Sequence, residues 1–217
     1  MDWKIGAAVA VILAIAVTAF FSGNVAIPSF STSGVSGFFA AATGGSAKNF
    51  TVDAVIDTVS MAFDTKADSI TVELPSPSKM TVGGSLLDLS SRPMVIIELR
   101  GWSGRITENG TLSLDGMADE ITVDGIVFTS AGKSSTLTID GAAFNNLNVR
   151  GIALNSLVFP EANGYVYVNG GKTTVNVDKE PLELTSFSGD ITIDTSLRLS
   201  GIARAVSVSG ENKISVV

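Results

Sequence analysis

The chain contains no cysteine and no histidine. The first absence removes any disulfide framework, thiolate nucleophile or Cys-based metal site. The second removes the usual general base near neutral pH and the commonest metal ligand. Ser-His-Asp hydrolases, His-ligated zinc enzymes and His-based phosphotransfer are thereby excluded. Aromatic residues make up only 7%, and Lys and Arg never form a run. With a net charge of −7, the chain lacks the clustered cations that nucleic acid or an anionic lipid surface requires. No cofactor is expected.

A long stretch also lacks charge, from Ile5 to Ala47. Its first part, Ile5–Phe21 (IGAAVAVILAIAVTAFF), is apolar apart from Gly6 and Thr18. As a helix it would be about 26 Å long, close to the hydrocarbon thickness of a bilayer. Trp3 and the Phe20-Phe21 pair stand at its two ends, where aromatics mark membrane interfaces. Lys4 is the one cation near it, which places the N-terminus in the cytoplasm and the bulk of the chain outside. Residues 1–22 are thus expected to form a transmembrane anchor, with Trp3, Lys4, Ile5, Phe20 and Phe21 as its boundary residues. The alternative is a secretory signal cleaved near Ala19, after Val17-Thr18-Ala19. Both export the rest of the chain, and the sequons at Asn49 and Asn109 fit an exterior location.

Residues 23–48 are rich in Ser, Gly, Ala and Thr and read as a linker. Within it Val35–Ala42 (VSGFFAAA) is apolar enough to pack on something. Residues 49–217 form the expected extracytoplasmic domain. In 49–64, Val52, Val55, Ile56, Val59 and Phe63 fall at helical spacing, so a helical cap is expected there. The β-branched content of that segment leaves a strand open.

From Ile70 the period changes to two. Short alternating runs such as Ile70–Leu74, Val95–Leu99, Leu137–Ile139, Tyr165–Val168 and Ile191–Ile193 are rich in Val, Ile, Leu and Thr and are broken by Gly, Asn, Asp and Ser. The fold class is therefore all-β. TLSLDGMADEITVDGI from Thr111 is echoed by TLTIDGAAFNNLNVRGI from Thr136, and a unit of apolar residue, polar residue and glycine recurs as TVDG, TIDG, NVRG, YVNG, RLSG and SVSG. A short strand ending in a glycine corner is what a β-solenoid coil requires, at ~20–25 residues per coil. A β-sandwich with glycine-containing turns is the alternative. SGDITIDTSLRLSGIARAVSVSG, from Ser188 to Gly210, resembles the repeats of membrane-anchored putative-adhesin β-solenoid domains. That resemblance implies an elongated surface domain and carries no catalytic residue.

Signals for chemistry are sparse. Asp194-Thr195-Ser196 matches the triplet of aspartic proteases, with Asp57 or Asp64 as conceivable partners, but Asp-Thr is common where a carboxylate accepts turn amides. Ser76-Pro77-Ser78-Lys79 fits Ser-x-x-Lys, yet Pro77 opposes the helix that motif needs. Asp115, Asp124 and Asp140 precede glycines at matching positions, where stacked coils would form an oxygen ladder for Ca²⁺, although corner acids ordinarily bond turn amides. Asp124, Arg150, Tyr165 and Tyr167 are candidates for a ligand surface, and Trp102 with the two tyrosines for sugar stacking. The expected role is a membrane-anchored, non-enzymatic cell-envelope protein that binds partners or self-associates. Alternatives are a tethered enzyme or binder acting on envelope polysaccharide, revived if Asp124 and Arg150 share a groove, and a pilin-like filament subunit.

Overall fold

The computed structural model describes residues 37–39, 49–57, 60–75, 80–89, 91–129, 132–171, 173–208 and 214–216. The expected anchor, most of the expected linker and Ser76–Lys79 lie outside them. The described part is all-β, with every ladder antiparallel. In chain order the strands are β1 (Gly37–Phe39), β2 (Phe50–Ile56), β3 (Met61–Pro75), β4 (Met80–Val82), β5 (Ser85–Leu87), β6 (Met94–Glu108), β7 (Leu112–Ala118) and β8 (Glu120–Val123). They continue as β9 (Ile126–Val127), β10 (Ser135–Ala142), β11 (Asn146–Val168), β12 (Thr173–Ile193), β13 (Leu197–Ala203), β14 (Ala205–Val208) and β15 (Ile214–Val216).

Two expectations are corrected. Among its described residues, the segment 49–64 forms strand and no helical cap. Val52, Ala54 and Ile56 point inward from β2, and Met61, Phe63 and Thr65 from β3, at a period of two. β-Branched side chains fit this half-buried pleated surface better than a helix. The solenoid is replaced by an antiparallel sheet. Solenoid coils stack in parallel, whereas here the recurring glycines mark hairpin turns and bends within long strands. Of the expected fold class, the all-β part is what the structure shows, in one antiparallel sheet. Part of the expected linker, Gly37–Phe39, is strand β1, paired with β14.

Alternation explains the packing. Each long strand buries every second side chain, and the apolar ones join one cluster around Trp102, Ile106, Leu114, Phe159 and Phe187. Fully burying each aliphatic side chain of this kind contributes about 1.5–3 kcal/mol before chain entropy is set against it. Long strands keep one face inward while turning corners by inserting an extra outward residue. Arg100-Gly101, Arg150-Gly151 and Thr185-Ser186 are such places, and Gly101, Gly151 and Ser186 have positive φ.

The fold is internally duplicated. In the first half Gly104 pairs with Gly116, Arg105 with Asp115 and Ile97 with Val123. In the second, Gly189 pairs with Gly201, Asp190 with Ser200 and Leu182 with Val208. Adding 85 to both numbers of each first pair gives the second pair. The segment WSGRITENGTLSLDGMADEITVDG from Trp102 matches FSGDITIDTSLRLSGIARAVSVSG from Phe187 without a gap. In both halves an aromatic ring lies over the glycine pair. A Cβ on Gly116 would stand 2.7 Å from Trp102 Cη2, and one on Gly201 would stand 3.0 Å from Phe187 Cε2.

The halves exchange their leading strands. Leu137 and Ile139 of β10 pair with Gly116 and Leu114 of β7. Val52 and Ala54 of β2 pair in the matching way with Gly201 and Leu199 of β13. So β2, which leads into β3 of the first half, is built into the second. β10, which leads into β11 of the second half, is built into the first. The similarity of the segments from Thr111 and Thr136 is therefore not the structural repeat, because β7 and β10 are direct neighbours.

Candidate functional site

The outward side chains are set by register, and one line of them crosses the sheet at its bend. Asp68 on β3 lies against Gly151 on β11, and Asp119, just after β7, lies against Gly101 on β6. Both glycines take a left-handed backbone, and each leaves room for the neighbouring carboxylate where a Cβ would stand. On the far side of Gly151, Asp190 Oδ1 accepts the Gly151 N–H at 2.9 Å. Asp119 Oδ1 accepts the Ser134 hydroxyl at 2.7 Å. In the adjacent register Asp53 Oδ1 accepts the Ser200 hydroxyl at 2.8 Å. These acids fasten bends and strand neighbours.

An open trough runs beside this line. One part of about 490 Å³ is lined by Asp64, Lys66, Ser103, Gly104, Gly151 and Ala153. The adjoining part of about 350 Å³ is lined by Lys66, Asp68, Gly101, Trp102, Asp119 and Gly151. Among the described residues no group of three or more acids is placed to hold a metal ion. Asp115 on β7 faces Thr138 on β10, and Asp140 follows in a β10 irregularity. Asp124 sits apart from both in the β8–β9 turn, so the three acids form no ladder.

Asp124 holds that turn closed. Its Oδ1 accepts the Ile96 N–H at 2.8 Å, and Arg92 donates to its Oδ2. The Ile96 hydrogen bond first, and then the Arg92 guanidinium, hold its carboxyl below the usual range. Asp194 closes the β12–β13 turn by accepting the Ser196 N–H at 3.0 Å, the main cause of its own lowered pKa. Asp64 lies on β3 with Arg105, 3.5 Å away. Arg150 is not beside Asp124. It faces Ser69 on β3, which faces Arg100 on β6, which faces Glu120 on β8.

No family model, no curated protein and no solved structure matches this chain.

Tyr165 and Tyr167 do lie together, on the outer face of the far end of β11, 49% and 37% exposed. Their register neighbours are Val55 and Asn176 for Tyr165, and Asp53 and Thr174 for Tyr167. Trp102 is not part of this platform, being 1% exposed in the core. Sequence reasoning missed the residues that line the bend, Asp68, Asp119 and Asp190. Their shared position depends on pairings between strands distant in the chain. The usable signal was the paired GWSG and SFSG, which mark equivalent bends in the two halves.

The expected anchor residues Trp3, Lys4, Ile5, Phe20 and Phe21 lie outside the described residues. Among those that are described, no helix is long and apolar enough to cross a membrane.

Proposed function

We propose that this chain is a membrane-anchored, extracytoplasmic, non-enzymatic protein of the cell envelope, acting as a binding or structural subunit of an assembly. The anchor rests on Ile5–Phe21 and its flanks, as argued from the sequence. The observation that carries the rest is how the domain uses its polar groups. Asp124, Asp194, Asp119 and Asp190 each hold a turn or bend, while apolar side chains stay outside on short edge strands. Leu86 on β5 is 63% exposed, and Ile126 and Val127 on β9 are 53% and 56% exposed. Exposed apolar edges of this kind pair with other chains unless something covers them. The resemblance of Ser188–Gly210 to adhesin-type repeats supports a surface role.

The test is the native mass of the full-length protein extracted from its membrane in mild detergent, with co-purifying chains identified. A stable assembly is expected. A lone 22.3 kDa chain in detergent would overturn the reading.

A second reading, binding of envelope polysaccharide, is favoured by the Tyr165–Tyr167 pair beside Asp53 and Asn176. Adjacent aromatic faces flanked by hydrogen-bonding groups suit a sugar ring. Pull-down with isolated envelope polysaccharide, lost in Tyr165→Ala/Tyr167→Ala, would support it, and equal binding by the double variant would exclude this face.

A further inference from the structure

The duplication makes four strand edges comparable in pairs, and three of them are covered. Thr122 on β8 pairs with Val127 on β9. Its counterpart Ser207 on β14 pairs with Phe38 on β1. The chain after β14 reads Glu211-Asn212-Lys213 where the first half has Ile126-Val127-Phe128. The apolar Gly37–Phe39 segment thus supplies on β14 the strand that β9 supplies on β8.

The second pair of edges lies on the two terminal hairpins. In the first half Val82 and Met80 of β4 pair with Leu137 and Ile139 of β10, and β5 pairs beyond β4 with Leu86 opposite Thr81. In the second half Val168 and Val166 of β11 pair with Val52 and Ala54 of β2, and Thr174 of β12 lies opposite Tyr167. Leu86 and Thr174 therefore hold the same place. The outer edge at Thr174 is covered by the C-terminal strand, with Ser215 opposite Thr174. The outer edge of β5 is bare among the described residues.

We infer that the β5 edge is the docking site for the C-terminal strand, Ile214–Val216, of a second copy of this chain. That strand keeps its own β12 on one edge and offers its other edge, with Leu86 opposite the incoming Ser215. The identity of the occupant follows from the equivalence. At the matching hairpin edge this fold receives that strand, antiparallel and in a defined register. Three further features agree. β5 ends the sheet, so an added strand continues it. Leu86 gains cover on pairing. The contact joins two different surfaces, β5 and the other edge of Ile214–Val216, so it can pass from copy to copy as a string. This inference rests on the assembly reading and names its contact.

The absence of native cysteine makes the test clean. Full-length Leu86→Cys and Ser215→Cys variants, carrying different tags, are co-expressed and oxidised mildly in their own membrane. Residues directly opposite in antiparallel strands lie within disulfide range. A mixed disulfide joining the two tags is expected, with none when exposed Lys133→Cys replaces Leu86→Cys. Absence of the mixed disulfide while free thiols remain reactive would overturn the inference. Leu86→Lys is the second arm. The side chain is exposed, so the melting temperature is expected to hold while the native mass falls. An unchanged native mass would overturn the inference. An assembly that keeps other chains but gives no mixed disulfide would sink this contact alone. A lone chain would sink the assembly reading with it.

Discussion

The carboxylate of Asp68 lies in the space that a side chain on Gly151 would need, although the two residues belong to strands far apart in the chain. Bend geometry and cross-strand contact are thereby joined at one point, because Gly151 also has φ +69°.

Gly151→Ala is expected to be destabilising for two separable reasons. A left-handed alanine costs about 1–2 kcal/mol, and Asp68 must also move. Gly83→Ala, at φ +57° with nothing nearby, measures the first cost alone. Asp68→Ala combined with Gly151→Ala should recover the second. Urea midpoints at constant slope give all three values, and equal losses for Gly83→Ala and Gly151→Ala would exclude the contact.

Trp102 is buried, and its Nε1 has no hydrogen-bond partner. Its counterpart in the second half is Phe187, which carries no such donor. Trp102→Phe loses ring volume but removes an unpaired N–H that itself costs about 1–3 kcal/mol. A net loss below about 2 kcal/mol is expected, against about 3–5 kcal/mol for Trp102→Ala. Thermal or urea unfolding checks the order.

How far these residues were legible in the sequence depends on which distances matter. Alternation at a period of two placed Ile70–Leu74, Val95–Leu99 and Ile191–Ile193 in strands, because inward burial needs no knowledge of partners. Val52, Val55, Ile56 and Phe63 fit helical spacing and still became strands, since Val52, Ala54 and Ile56 fit a period of two equally well. Glycine units looked like solenoid corners because hairpins, bends and coil corners all demand the same backbone freedom. Placement of Asp68 beside Gly151, or of Arg150 away from Asp124, depends on register between distant strands. No local pattern carries that.

Acid should weaken the β8–β9 turn. The folded pKa of Asp124 is depressed, so its contribution is fully present above the unfolded value and is lost as pH falls through the folded one. The window therefore opens below about pH 4. Asp124→Asn keeps an acceptor for the Ile96 N–H but not the charge, and should flatten the acid limb of stability against pH. An unchanged acid limb would remove Asp124 from the account. Asp194 lies at the surface, and Asp194→Asn should move the limb in the same direction through loss of its charged turn acceptor.

The Asp53–Ser200 hydrogen bond ties the exchanged strand β2 to β13. At the matching place in the first half a threonine, Thr138, faces an acid, Asp115, so carboxylate and hydroxyl have traded strands. Asp53→Ala or Ser200→Ala should each cost about 0.5–1.5 kcal/mol, and the double variant less than their sum. Additive losses would show that the bond does not couple the two strands.

Exchange of the leading strands also fixes an order of events during synthesis. Phe50–Ile56 leaves the ribosome well before its partner Leu197–Ala203 is made. The first half cannot complete itself until Ser135–Ala142 arrives from the second. Such distant pairing slows folding, so the second half stays incomplete until Leu197–Ala203 has been made. A ribosome that stops before Leu197 leaves β2 with one of its two neighbours missing, and quality control would meet that unpaired edge rather than a stable half-domain.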